Sequence, residues 1–278
     1  MLTVEMNWFQ AIILGIVQGL TEFLPVSSSG HLRIVPAFFG WEDPGTAFTA
    51  VTQLGTIAAV LIYFRRDLYR ILTVWTRSLW TPSLRKELDA KLGWFIGLGT
   101  IPLGVFGLLF NDFIEKSARD LRLIGCTLIL LGILLQVAEM FGKQRKMVAE
   151  LTLKDGLIIG FAQAMAAIPG VSRSGATITA GLFLGFTREA AARYSFLLSV
   201  PAVVLSGIYK LEDITAGDGP TLTATVIATI LAFVSGYAAI AWMLKYVSSH
   251  SMRGFVVYRI LLGLMVLTLV GAGLIEPL

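Results

Sequence analysis

Two stretches decide how this chain folds: Pro25-Val26-Ser27-Ser28-Ser29-Gly30-His31 and Pro169-Gly170-Val171-Ser172-Arg173-Ser174-Gly175. Each is a cluster of helix breakers and capping residues between apolar segments, with about 6–24 leading into the first and about 155–169 into the second. A break inside hydrocarbon frees backbone N–H and C=O groups that lipid cannot satisfy, so it must face protein or a wet cavity. Each cluster is therefore read as the tip of a re-entrant helical hairpin rather than as the junction of two full crossings.

Six further apolar segments, about 46–64, 92–110, 119–141, 188–210, 222–244 and 254–275, are long enough to cross a bilayer as helices. The 278 residues are 56% hydrophobic and 14% charged, with a mean hydropathy of +0.78, whereas soluble domains carry about 25% charged residues. A soluble enzyme, a nucleic-acid binder and a disordered chain are excluded. The fold expected is an all-α integral membrane protein of six transmembrane helices and two re-entrant hairpins, in a single polytopic domain. The net charge of +4 is read as basic cytoplasmic loops rather than as an anion-binding surface. The lone Cys126 allows no intrachain disulfide. With no Lys or Arg before Arg33, no charged leader of the signal-peptide kind is expected.

Loop charges set the orientation. Residues 65–91 carry seven Lys or Arg, 142–154 four, 245–253 two, and Arg188 adds one, making fourteen on one side. Lys116, Arg119, Arg122 and Lys210 make four on the other. The first group is cytoplasmic by the positive-inside rule. Both termini then lie outside, the first hairpin enters from outside and the second from the cytoplasm.

A shift of 145 residues superposes the hairpins without a gap. Gly15, Gln18, Val26, Ser27, Ser29 and Gly30 fall on Gly160, Gln163, Val171, Ser172, Ser174 and Gly175, six identities in sixteen positions. Each repeat, about 1–141 and about 146–278, holds one hairpin and three crossings. An odd number of crossings inverts the second copy relative to the first. Inverted repeats with interrupted helices are a transporter architecture, with the site at the repeat interface, so the polar residues must discriminate.

Glu22 lies in the first apolar helix, four residues after Gln18 and on the same face. A carboxylate at that depth is costly, and an ionisable group there marks a functional site. Ser27, Ser28 and Ser29 open the next helix, with His31 one turn beyond Ser28; Ser172, Arg173 and Ser174 open its counterpart. Serine at such positions also suits simple N-capping. Two helix N-termini offer free N–H groups and positive dipole ends to an anion. Arg173 adds a planar fork matched to phosphate. Glu22 and Gln18 offer oxygens to Mg²⁺ or Ca²⁺, and His31 can exchange a proton near neutral pH. Helix ends and an arginine would serve an anion transporter. The added Glu, Ser and His suit hydrolysis of a phosphoric anhydride, with His31 as general acid or base and Ser28 as nucleophile or positioner.

These residues carry a resemblance. Gln18-Gly-Leu-Thr-Glu22-Phe-Leu-Pro-Val-Ser-Ser-Ser-Gly-His31 and Pro169-Gly-Val-Ser-Arg-Ser-Gly-Ala-Thr177 are similar to the two signature motifs of bacterial undecaprenyl-diphosphate phosphatases, the bacitracin-resistance family. Ala192-Arg-Tyr-Ser-Phe-Leu-Leu-Ser-Val-Pro201 is similar to a third segment. The resemblance implies release of the terminal phosphate from the C55 polyprenyl diphosphate carrier, returning the monophosphate to cell-wall synthesis. It implies a multi-pass protein of the bacterial plasma (inner) membrane with a site open to the outer, periplasmic face, and dependence on a divalent cation. Its partners would be the polyprenyl diphosphate lipid and the membrane, with no nucleic acid, and it leaves room for a homodimer. Carried over by position, catalytic roles fall on Glu22, Ser28, His31 and Arg173, and diphosphate binding on Ser27, Ser29, Gly30, Ser172, Arg173, Ser174 and Gly175. Metal ligation falls on Glu22 and Gln18. The family commonly has Glu where this chain has Gln18, which weakens a two-carboxylate metal site. The phosphatidic-acid-phosphatase type is rejected, because it needs a second His near its Ser-Arg and only His31 and His250 exist. The rival from another class is a polyprenyl-phosphate transporter or flippase built on the same inverted repeat.

The charge bias makes a test. With Cys126 replaced, a cysteine at Ser83 should resist impermeant thiol reagents in intact cells and one at Asp218 should react. The opposite labelling pattern would overturn both the orientation and the inverted repeat.

Overall fold

The structure is a computed structural model that describes residues 6–110, 119–209 and 221–277. Lys116 and Lys210, two of the charges that set the orientation, and Asp218, the outer labelling position, lie outside the described residues. Among the described residues the only β-type pairing is a single bridge between Lys146 and Phe186; the rest of the regular structure is helical.

The first hairpin is α1 (Trp8–Phe23) and α2 (Ser28–Phe39). Asn7 and Gln10 cap α1 reciprocally, each side chain accepting from the other's backbone N–H. Leu24 turns extended before Pro25 and ends the helix. α3 (Gly45–Tyr63) bends by 75° into α4 (Arg65–Trp80). α5 (Leu88–Leu109) and α6 (Leu121–Phe141) follow. The second hairpin is α7 (Leu153–Met165) and α8 (Arg173–Phe183), and the chain closes with α9 (Arg188–Tyr209), α10 (Leu222–Val247) and α11 (Arg253–Gly271).

By length and composition α5, α6, α10 and α11 can each cross a membrane, and the bent α3–α4 pair would make a fifth. The chain is a multi-pass membrane protein. α9 was expected to cross as well, yet it carries Arg188, Glu189 and Arg193 in its first turns. It packs inside the protein, with Ala190, Ala191, Ala192, Tyr194, Phe196, Leu197 and Leu198 all buried, so much of it meets protein rather than lipid.

Residues 65–91 read as a cytoplasmic loop, but α4 occupies most of them. Its arginines hide an amphipathic period. Ile71 and Ser78 are buried, while Tyr69, Leu72 and Trp80 form an exposed apolar stripe beside Arg66 and Arg77, the pattern of a helix lying in a membrane interface. Arg193 reaches Asp67 at 2.9 Å and Arg70 reaches Asp89 at 2.6 Å, tying α4 to α9 and α5.

Helix pairs approach through small residues, as membrane helices do when no hydrophobic drive separates lipid from protein. α1 lies on α10, and α7 lies on α5. A Cβ on Gly15 would sit 2.7 Å from the Ala228 Cα, and one on Gly160 would sit 2.7 Å from the Gly99 Cα. The glycines 145 residues apart thus perform the same close approach on different partners. α6 meets α11 where Gly125 faces Gly263.

This contact predicts that Gly160→Ala lowers stability by about 1–3 kcal/mol, the scale of overpacking. Gly104→Ala, at an exposed site with nothing within 4 Å, should leave the unfolding midpoint in detergent unchanged. Equal midpoints for the two variants would show that the α5–α7 approach does not need glycine.

Candidate active site

The two Pro-Gly-Ser breaks meet. Ser27 and Ser172, the N-caps of α2 and α8, both hold the left-handed backbone, with φ of 77° and 72°. A non-glycine residue there costs on the order of 1–3 kcal/mol and persists only when its surroundings over-determine it. The surroundings match in the two copies. Ser27 Oγ accepts from Gly30 N–H at 3.3 Å and Ser172 Oγ from Gly175 N–H at 3.1 Å. Ser27 and Ser172 also share hydrogen bonds with Ser29 (3.4 Å) and Ser174 (3.2 Å). Ser174 Oγ crosses to the first break and donates to the Leu24 carbonyl at 2.8 Å.

Between the breaks lies a partly open cleft of about 170 Å³, a small site suited to the head of a ligand rather than to all of it. Glu22, Ser28 and Arg173 line it with Gln53, and Leu103, Ala202 and Val203 form its apolar wall. Glu22 is the hub. Its Oε2 accepts from Ser28 Oγ at 2.6 Å and from Gln18 Nε2 at 3.0 Å. Its Oε1 accepts from Gln53 Nε2 at 3.3 Å and forms an ion pair with Arg173 from the opposite break. The carboxylate therefore receives four donors, as a buried charge must, and Arg173 joins the two halves.

Sequence spacing set Ser28 one turn from His31, but the structure turns them apart. Ser28 points to Glu22, whereas His31 is buried with both ring nitrogens engaged. Nδ1 lies 2.7 Å from the Ser27 carbonyl and Nε2 lies 2.6 Å from the Tyr258 hydroxyl. A carbonyl can only accept, so Nδ1 carries the proton and Tyr258 donates to Nε2. The Tyr258 ring stacks on the imidazole at 5.6 Å.

Three polar side chains of the site escaped the sequence reading: Gln53, Tyr258 and Arg259. Each sits inside a segment read simply as a crossing, and an arginine within an apolar span was the available signal. Arg259 is fully buried and donates to backbone carbonyls of both breaks. Its partners are Pro25 at 3.0 Å, Gly170 at 3.0 Å and Val171 at 3.1 Å, with Leu128 at 3.2 Å on α6. Gly175 makes room for it, since a Cβ there would lie 2.8 Å from a guanidinium nitrogen. The buried cluster holds one carboxylate and two guanidinium groups beside two helix N-termini. Its field favours an anion.

Among the described residues no group of three or more His, Cys, Asp or Glu could form a metal cage. A hard cation shared with a phosphate needs only one or two carboxylates. Glu22 supplies one, and Gln18 Oε1 is buried without a partner. The donor set fits an ion shared with a bound phosphate ligand.

Comparison with known proteins shows the family. The chain matches the family model described as bacitracin resistance protein BacA over residues 11–265. It is 52% identical to a Streptomyces avermitilis protein named undecaprenyl-diphosphatase 2, over 98% of each chain. It is 54% identical to the undecaprenyl-diphosphatase of Thermobifida fusca, over 98% of this chain and 93% of that one. It is 55% identical to that of Pseudarthrobacter chlorophenolicus, over 98% of this chain and all of the relative. With its whole length matched and both motif-bearing breaks brought to one cleft, this chain belongs to the BacA bacitracin-resistance family.

Proposed function

We propose that this protein hydrolyses undecaprenyl diphosphate to undecaprenyl phosphate and inorganic phosphate, recycling the lipid carrier for peptidoglycan synthesis. One observation carries the reading: Glu22 holds Ser28 from its own break and Arg173 from the other within a single cleft. The relatives' names point to the same substrate. The protein sits in the bacterial plasma membrane as six crossings and two inverted hairpins in a single domain, with its cleft open to the outer face. The loop-charge bias and the matching caps at Ser27 and Ser172 support that arrangement.

In this reading Arg173 exchanges the Glu22 carboxylate for the substrate phosphates, contacting them through two parallel N–H donors. The serine-capped helix starts, at Ser27 to Gly30 and Ser172 to Gly175, surround the diphosphate, with the first backbone N–H groups of each helix aimed at it and those of Gly30 and Gly175 kept by the cap serines. Glu22, released from Arg173, takes the Ser28 proton as general base. Ser28 Oγ then bonds to the terminal phosphorus while the bridging P–O bond breaks, Glu22 passes the proton to the bridging oxygen, and undecaprenyl phosphate leaves. Water next attacks the phosphoserine, gives a proton to Glu22 and releases inorganic phosphate, and the proton returns to Ser28. Mg²⁺ or Ca²⁺ held by Glu22 and Gln18 would neutralise charge on the phosphate oxygens. His31, turned toward Tyr258 and the Ser27 carbonyl, supports the first cap rather than Ser28.

Purified protein in detergent should release phosphate from a long-chain prenyl diphosphate, because hydrolysis needs no sealed compartment. Activity confined to transport across sealed vesicles would replace this reading by the flippase one, which the inverted repeat favours. With label in the terminal phosphate, acid quenching during turnover should trap label on wild-type protein but not on Ser28→Ala. Turnover without trapped label would mean direct attack by water.

The hub geometry separates the two residues on the α1 face. Glu22→Gln should lower turnover by about 10²–10⁴-fold, the scale of a lost general base. Gln18→Glu should stay active and reach half-maximal rate at lower Mg²⁺, since an added carboxylate suits a hard cation. Phosphate release titrated against Mg²⁺ and Ca²⁺ checks both, and normal turnover by Glu22→Gln would remove Glu22 from the chemistry.

A further inference from the structure

We infer that Tyr258 and Arg259, adjacent on α11, are the positioning residues that aim the two halves of the phosphate cradle; this rests on the phosphatase reading. Neither side chain lines the cleft, yet each grips the backbone that does. Arg259 draws the carbonyls of Pro25, Gly170 and Val171 to one buried point. The C=O and N–H of a trans peptide point in opposite directions. Capture of the Val171 carbonyl therefore turns the Ser172 N–H away from Arg259 and toward the cleft that Ser172 lines. The following N–H groups, of Arg173 and Ser174, open α8 and have no intrahelical acceptor. They share that direction. Without Arg259 the Val171 carbonyl would be free to rotate toward the phosphate and repel it, whereas the peptides of Pro25 and Gly170 stay held through the Val26 and Val171 N–H groups.

Tyr258 acts on the other half through a relay. Its hydroxyl donates to His31 Nε2, which leaves the proton on Nδ1 to hold the Ser27 carbonyl. The next peptide N–H belongs to Ser28, whose hydroxyl lies on Glu22. Arg259 thus governs chiefly the half that carries Arg173, with one bond to Pro25 of the other, and Tyr258 the half that carries the attacking hydroxyl. Placing both on successive residues of one helix sets the distance between the halves.

The division of labour predicts different kinetic signatures. Arg259→Lys keeps the charge but offers three donors without the planar fork. KM and the inhibition constant for inorganic phosphate should each rise by about tenfold or more, the scale of losing charge-assisted phosphate donors. Tyr258→Phe keeps the stacked ring and loses one hydroxyl. It should lower kcat by about tenfold, as misplacement of a reacting group does, with KM held within about twofold. Leu121→Ala, in the same α6–α11 packing, is the control for mere destabilisation. It should lower the unfolding midpoint while the folded enzyme keeps wild-type KM and kcat. Kinetics of the two α11 variants that match Leu121→Ala would overturn the inference. If Arg259→Lys does not fold, Tyr258→Phe decides by itself, and an unchanged kcat rejects the relay. Stabilisation of the folded protein by inorganic diphosphate, measured without turnover, reads the Arg259 effect separately. A wild type stabilised by diphosphate but unable to hydrolyse the lipid would fail the phosphatase reading alone.

Discussion

A helix interrupted inside a membrane must find partners for the backbone groups it frees, and here Arg259 supplies them. The guanidinium of one fully buried side chain donates to carbonyls from both breaks and from α6. A charge buried that deeply is tolerable only when saturated, and the breaks provide the acceptors. The dependence is mutual. Other features of the centre follow from the same demand: the left-handed caps at Ser27 and Ser172, the bare Gly175 that admits the guanidinium, and the Thr127 hydroxyl on the Pro169 carbonyl at 3.0 Å.

The two breaks share their backbone devices and differ in their chemistry. Cap serines, the serines two positions on and the glycines after them recur at an offset of 145, and so does the α1 and α7 glycine that touches a neighbouring helix. At the same offset Glu22 matches Ala167, Ser28 matches Arg173 and His31 matches Ala176. One copy contributes the carboxylate and hydroxyl, and the other the cation. A symmetric pair of cradles would offer two guanidinium groups or two carboxylates, and neither pair could both bind a diphosphate and deprotonate a hydroxyl. Divergence at three positions converts a twofold anion site into one with a direction.

The buried Glu22–Arg173 pair also describes the resting enzyme. Taking both charges out of water costs more than their attraction alone returns, and hydrogen bonds from Ser28, Gln18 and Gln53 make up the difference. In the proposed mechanism an incoming diphosphate offers Arg173 a better partner with more charge. The carboxylate so released already touches the serine it would deprotonate. Substrate binding and base activation would then be one exchange of partners.

Much was legible in the linear chain because its signals are local. Apolar length announced membrane helices, Pro-Gly-Ser clusters announced the breaks, and identical spacing around Gln18–Gly30 and Gln163–Gly175 announced the repeat. Glu22 and Arg173 stood out because a charge among apolar neighbours is anomalous without any knowledge of its partner. Partnership itself was invisible. Ser28 and His31 are one turn apart in sequence, yet one serves Glu22 and the other Tyr258, more than two hundred residues away. Arg259 passed as part of a crossing because its partners are backbone carbonyls of α6 and of the two breaks, all distant in sequence. α4 passed as a loop because its face has meaning only against α5 and an interface. Sequence determined which elements form and which residues are too polar for their surroundings, since those depend on near neighbours and on lipid. Tertiary structure alone decided which donor meets which acceptor, because a buried hydrogen bond is set by the packing of whole helices to within a few tenths of an ångström.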